Sequence, residues 1–94
     1  MESANITERE RVVRERSRII DKINESLDDI TGDKRARQLS ERLKEDCGLD
    51  SLSIVNLIIS LETGFDIFFD DSDLDPETII TIEDVVSLTV RYVV

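Results

Sequence analysis

The ten residues Leu52 to Leu61 are the most apolar run of the chain, and they begin directly after Gly48-Leu49-Asp50-Ser51. Gly48 permits a tight backbone turn that residues with a Cβ resist. Asp50 is a good helix N-cap, because its carboxylate can accept a free backbone N–H of the first turn. Ser51 then stands at the first helical position with its hydroxyl outward. The pattern predicts a helix from Ser51 to about Gly64. Ile54, Leu57, Ile58 and Leu61 share one face, with Phe65 following, and that face suits a core. Leu52, Val55 and Ile59 form a second apolar strip beside Ser51, while Ser53, Asn56, Ser60 and Thr63 are expected at the surface. A helix apolar on two sides is either centrally buried or offers one strip to a partner. Taken alone, Asp50-Ser51 is also simply a capped helix start whose serine has no chemical role.

The rest of the chain supplies two more helices. The first six residues are expected to fray. Thr7 and Glu10 have capping-box spacing, which starts a helix near Glu8. Val12, Val13, Ile19, Ile20, Ile23, Leu27 and Ile30 recur at 3.6-residue spacing, with Ile6 near the edge of their arc. Arg16 interrupts the stripe and snorkels. Thr31-Gly32 ends the helix, with Gly32 as a C′ residue. Its first two turns, rich in Glu and Arg, protrude or fray. At the other end Thr81 caps a last helix with Asp84 three residues on. Ile82, Val85, Val86, Val90 and Val93 recur at helical spacing, to about Val93.

The connections are less clear. In residues 33–46 Ala36, Leu39 and Leu43 are spaced to face one side, either as a short helix over about 34–44 or as an ordered loop pinned by Leu39 and Leu43. Lys34, Arg35, Arg37, Arg42 and Lys44 form a basic patch there, read as a solvated loop. After Phe65, the residues Ile67, Phe68 and Phe69 are expected to anchor an aspartate-rich connection, with a short helical turn around Asp71 to Asp75. Asp71, Asp73 and Asp75 open like a calcium loop, but Pro76 stands where glycine is needed and Ile82 where the closing glutamate belongs, so no calcium site is predicted. The fold class is therefore all-α: a small four-helix bundle of three longer helices and one short one, with a long loop after the first. The 94 residues are expected to form one domain over 1–94.

Charge and composition narrow the function. The net charge is -10, and every Lys and Arg except Arg91 lies between Arg9 and Lys44. That balance argues against nucleic acid or an anionic membrane as the main partner and favours proteins with basic docking patches. No histidine is present, which removes the commonest general base and metal ligand. The single cysteine, Cys47, excludes an intrachain disulfide and is read as a small buried hydrophobe. No signal-peptide pattern and no membrane-spanning run is visible, so a cytoplasmic location is expected.

From Leu43 onward the chain resembles an acyl carrier protein. The carrying residues are Leu43 to Leu52, then Val55, Leu57, Leu61-Glu62, Phe65 and Thr81-Ile82-Glu83-Asp84-Val85-Val86. The family pattern is Asp-Ser-Leu at a helix start, an apolar run ending Leu-Glu-x-x-Phe, an acidic connection and a Thr-hydrophobic-x-Asp helix start. The resemblance implies a phosphopantetheine arm, taken from coenzyme A and attached to Ser51 by a separate phosphopantetheinyl transferase. Acyl groups would ride on the arm as thioesters, and the chain itself would catalyse nothing and hold no metal. It further implies partner docking through Asp50, Leu52, Val55, Ile59 and Glu62, and shelter of the acyl tail among Ile54, Ile58, Leu61, Phe65 and Phe69. Partners would be loading, synthase or acyltransferase enzymes of fatty acid, lipid or secondary-metabolite biosynthesis, meeting a monomer. Asn56 stands where many family members carry an acidic residue, and the long first helix and the Phe68-Phe69 pair suggest a specialised carrier. The alternatives are a peptidyl or aminoacyl carrier on the same arm, and an acidic helical adaptor with no arm.

Overall fold

The computed structural model describes residues 8–93. Three α-helices account for most of them: α1 (Glu8–Thr31), α2 (Ser51–Phe65) and α3 (Ile82–Val93). A 3₁₀ turn (Asp71–Asp73) lies in the connection between α2 and α3, where the sequence predicts a short helical turn. The fourth element is this three-residue 3₁₀ turn. The predicted fraying of the first six residues, the place of Ile6 and the Thr7 cap lie outside the described residues.

α1 packs on both α2 and α3. Ile19, Ile23 and Leu27 recur every four residues and are fully buried, the single stripe expected of an amphipathic helix. Ser26 is buried beside them and its hydroxyl meets that of Ser60 on α2 at 2.6 Å. Ser60 is accordingly half-buried rather than on the surface. Val13, predicted in the stripe, is 62 % exposed. The reason is length: 24 helical residues against 12 in α3 make α1 about 36 Å long and α3 about 18 Å, too short to cover it. Arg16 runs along this surface to pair with Glu83 at the start of α3, 2.5 Å apart. Gly32 ends α1 as predicted, at φ +73, with its N–H on the carbonyl of Asp28 at 2.9 Å.

Residues 33–50 form an ordered loop with no helix. Leu43 is buried and Leu39 half-buried, but Ala36 is exposed. Lys34, Arg35, Arg42 and Lys44 are exposed, as a solvated loop requires, but Arg37 is not. The side chain of Arg37 is only 1 % exposed and pairs with Asp28 at 2.8 Å. It also donates to the carbonyl of Asp33, which closes the chain reversal after α1. Arg35 pairs with Glu41 at 2.8 Å. The loop then serves α3. The carbonyls of Glu41 and Leu39 accept the N–H groups of Ile82 and Glu83 at 3.0 and 2.9 Å. Asp84 and Thr81 complete the helix start as a capping box: the Thr81 hydroxyl accepts from the Asp84 N–H, and the Asp84 carboxylate accepts from the N–H of Thr81 and Ile80. The free donors at the N-terminus of α3 are thereby satisfied. Burial works to raise the Asp84 pKa, but these hydrogen bonds outweigh it and hold the carboxyl below its usual range.

Candidate functional site

The turn before α2 is wound by short backbone bonds. Cys47 N–H reaches the carbonyl of Arg42 at 3.0 Å and Leu49 N–H that of Leu43 at 2.9 Å. Gly48 between them takes φ +74, the left-handed region that costs glycine nothing. Cys47 and Leu49 consequently point into the core, and burial pushes the Cys47 thiol up in pKa. Asp50 caps the helix: its carboxylate accepts the Ser53 N–H at 2.8 Å. That bond holds the Asp50 carboxyl below its usual range, so it is an anion at neutral pH. Ser51, the first residue of α2, is exposed, and its hydroxyl makes no hydrogen bond among the described residues.

From Ser51 an apolar groove of about 410 Å³ runs along α2. Ser51, Ile54, Val55, Ile58, Ile59 and Glu62 form one wall, all on one side of the helix. Phe69, Leu74, Pro76 and Ile79 form the other, from the connection between α2 and α3, with Asp71 beside them and Lys44 from the loop before α2. The far wall is tied to the helix by Glu62, whose carboxylate accepts the Phe69 N–H at 2.9 Å. Phe69 is buried edge-on against Tyr92 of α3, ring centroids 4.9 Å apart. The Tyr92 hydroxyl donates to the Asp73 carboxylate and accepts the Asp70 N–H, an arrangement that raises the tyrosine pKa, the bond to Asp73 contributing most.

Of the five residues expected around an acyl tail, Ile54, Ile58 and Phe69 line the groove. Leu61 is fully buried in the central core, one turn of α2 from Leu57. Phe65 lies on the other side of α2, beneath the Arg18 guanidinium at 5.5 Å. Neither reaches the groove, because both sit on the side of α2 that meets α1. Of the expected docking residues, Leu52, Val55 and Ile59 are 68, 50 and 51 % exposed. Val55 and Ile59 are also the rim of the groove, so the strip and the cavity are one continuous surface. Asp50 and Glu62 are occupied as a cap and as the tie to Phe69. Phe68, expected as an anchor, is 83 % exposed: in an extended stretch neighbours face opposite ways, so burying Phe69 turns Phe68 out. Leu74, Pro76, Ile79 and Lys44 were not foreseen. Leu74 had a signal, as the lone aliphatic residue in an acidic run. Among the described residues no group of carboxylates, including Asp71, Asp73 and Asp75, is arranged to hold a metal, and no helix is long and apolar enough to cross a membrane.

No protein-family model matches the chain. The acyl carrier protein of Campylobacter lari is 36 % identical over 61 residues, 65 % of this chain and 77 % of that protein. That of Campylobacter jejuni is 41 % identical over a stretch of the same coverage. The acyl carrier protein of Desulforapulum autotrophicum is 48 % identical over 44 residues, 47 % of this chain and 54 % of the relative. A serine presented at a helix start beside an apolar groove thus coincides with substantial identity over most of the relatives' length, and the chain belongs to the acyl carrier protein family.

Proposed function

We propose that the chain carries acyl groups as thioesters on a phosphopantetheine arm attached to the Ser51 hydroxyl. The observation that carries this reading is an exposed, unengaged serine hydroxyl at the start of α2 and at the mouth of an apolar groove. The residues present fit such an arm. A hydroxyl must reach another enzyme's active site to be modified, and Ser51 is exposed. A phosphodiester there lies at the positive end of α2, where anions are favoured. When bound, the arm supplies a terminal thiol that holds the acyl group.

The chain's own residues present and shelter. Ile54, Ile58, Phe69, Leu74 and Ile79 offer an apolar bed to an acyl tail, worth at most about 0.8 kcal/mol per buried CH₂. A groove open along Val55 and Ile59 lets a partner withdraw the tail across the surface on which it docks. Leu52, Val55 and Ile59 supply the contacts of that surface, with Asp50 and Glu62 shaping its ends. Loading by a phosphopantetheinyl transferase and exchange with synthases or acyltransferases would make this a non-catalytic, cytoplasmic shuttle, residues 1–94 acting as one carrier unit. The 3₁₀ turn Asp71–Asp73 stands where the bundle would have its short helix.

The test is intact mass after incubation with coenzyme A and a broad-range phosphopantetheinyl transferase. A gain of one phosphopantetheine, lost in Ser51→Ala, is expected. No gain with a transferase active on a control substrate would overturn the reading and leave an adaptor that binds through Leu52, Val55 and Ile59.

A further inference from the structure

An arm on Ser51 would put a phosphodiester into an anionic neighbourhood. Asp50 precedes it as a charged cap, and Glu45 and Asp46 are exposed just before the turn. Repulsion from these carboxylates would drive a second anion away from the protein surface. The groove holds one counterweight. Among its lining residues Lys44 is the only cation, and it borders the same cavity as Ser51. Lys44 is exposed and makes no ion pair or hydrogen bond among the described residues, whereas Arg35 and Arg37 of the same loop are taken by Glu41 and Asp28. No Lys or Arg follows Lys44 until Arg91, and Arg42, two residues before it, is not among the residues lining the groove. Glu62, the groove's carboxylate on α2, is eleven residues beyond Ser51, about 16 Å along the helix, and is already bound to the Phe69 N–H. The groove therefore has one uncommitted ammonium among its lining residues, bordering the same cavity as Ser51, while its α2 carboxylate is spent on Phe69.

We infer that Lys44 is a phosphate-binding residue: its ammonium pairs with the phosphodiester of the arm on Ser51 and holds the root of the arm at the mouth of the groove. This rests on the reading of Ser51 as the attachment point. An exposed pair of this kind is weak and screened by salt, so it biases the arm toward the groove without locking it there. Release to a partner costs little, and a partner with its own cation for the phosphate displaces Lys44 directly.

The experiment is phosphorus-31 NMR of the loaded full chain, with loading checked by intact mass. Wild type, Lys44→Gln, Lys44→Arg and Lys34→Gln are compared at low salt and at ~1 M NaCl, where the Debye length is about 3 Å. The phosphodiester resonance of wild type is expected to move with salt toward the position it holds in Lys44→Gln, and to be insensitive to salt in that variant. Lys44→Arg should retain the salt response, and Lys34→Gln should match wild type. Identical resonances and salt responses in loaded wild type and loaded Lys44→Gln would overturn the role of Lys44 while leaving Ser51 as the attachment point. An equal effect of Lys34→Gln would also overturn it, by showing a diffuse field. Wild type that takes no arm overturns the attachment at Ser51, and this inference with it.

Discussion

The two connections that flank α2 solve the same problem with different forces. Residues 32–50 reverse the chain and deliver Ser51. They are stitched by charge: Arg37 to Asp28, Arg35 to Glu41, and the Arg42 N–H to the Asp46 carboxylate at 2.8 Å. Residues 66–81 return the chain to α3 and build the far wall of the groove. They contain no Lys or Arg and are held by Phe69, Leu74 and Ile79 in or against the core. Their polar ties, Phe69 N–H to Glu62 and Tyr92 to Asp73, lead back to the same anchor. One connection adds a lattice of ion pairs around a buried guanidinium to its core residues Leu43, Cys47 and Leu49, and the other is an acidic ribbon pinned by apolar residues. The proposed attachment serine sits after the first, and the wall proposed to shelter an acyl tail belongs to the second.

The comparison fails first if the acidic ribbon does not depend on its anchor. Phe69→Ala is expected to destabilise the protein by about 3–5 kcal/mol, the cost of emptying a buried aromatic site, as measured by urea unfolding. Phe68→Ala, one residue away and facing solvent, should stay within about 0.5 kcal/mol of wild type. Similar losses in the two variants would mean that the connection is held by something other than its buried ring.

These two phenylalanines also mark how far the sequence could be read. The helices were legible because each carries its own start, stripe and stop: Ile19, Ile23 and Leu27 at four-residue spacing, Gly32 past α1, Asp50 before α2, Thr81 and Asp84 at α3. Those signals act over one or two turns, which a linear pattern records. The Ser51 presentation was legible for the same reason. The connections obey long-range geometry instead. Arg37 looks like one of several surface cations until α1 ends and turns back to bring Asp28 alongside it, nine residues away. Which of Phe68 and Phe69 turns inward depends on where Tyr92 stands, more than twenty residues later. Leu74, Pro76 and Ile79 become a wall only because α3 docks where it does. The family resemblance places Leu61 and Phe65 around an acyl tail, yet Phe65 lies against Arg18 of α1 and Leu61 is buried in the central core.

The charged connection is tested next at Arg37. Arg37→Ala leaves Asp28 and the carbonyl of Asp33 without their partner. Breaking a fully buried pair costs 3–5 kcal/mol; Asp28 keeps some access to water, so a loss of about 2 kcal/mol is expected in urea unfolding. Arg37→Lys should recover little, since one ammonium cannot reproduce the spread of the fork across Asp28 and Asp33. Full recovery by lysine would reduce the lattice to simple charge.

Acid provides a smaller and more selective effect. The Arg35 guanidinium, helped by the Gln38 N–H, lowers the Glu41 pKa from 4.5 to about 2. A depressed carboxyl contributes stability that is complete above its unfolded value and is lost as pH falls through the folded one. The advantage of wild type over Glu41→Gln should thus be about 1 kcal/mol at neutral pH, the scale of a well-made surface pair, and vanish between pH 4.5 and about 2. Taking the difference between the two proteins removes the general relief of repulsion that acid brings to a chain of net charge -10. A difference that is constant across this window would show that Glu41 contributes by shape alone.

Salt gives the smallest effect, and the one in which the two connections should part most clearly. Screening weakens the exposed pairs of the first, Arg35 with Glu41 and with Asp33. In the second it relieves the crowding of Asp66, Asp70, Asp71, Asp73, Asp75 and Glu77, where among the described residues the ion pair is that of Arg91 with Asp73, 3.7 Å apart. For the whole protein the repulsion dominates, and added NaCl or Mg²⁺ should raise the melting temperature at neutral pH. Amide exchange resolves the parts. The N–H groups of Arg42, Cys47 and Leu49 should lose a few tenths of a kcal/mol of protection on going from low to high salt, while those of Asp70, Asp73 and Leu74 gain as much. A uniform gain at both sets would mean that repulsion spreads through the whole molecule and that the ion pairs around Arg35 carry no share of the load. Opposite signs would establish that the hold on Ser51 and the wall of the groove can be loosened independently. A partner that brings positive charge to the acidic ribbon would then steady that wall without disturbing the serine.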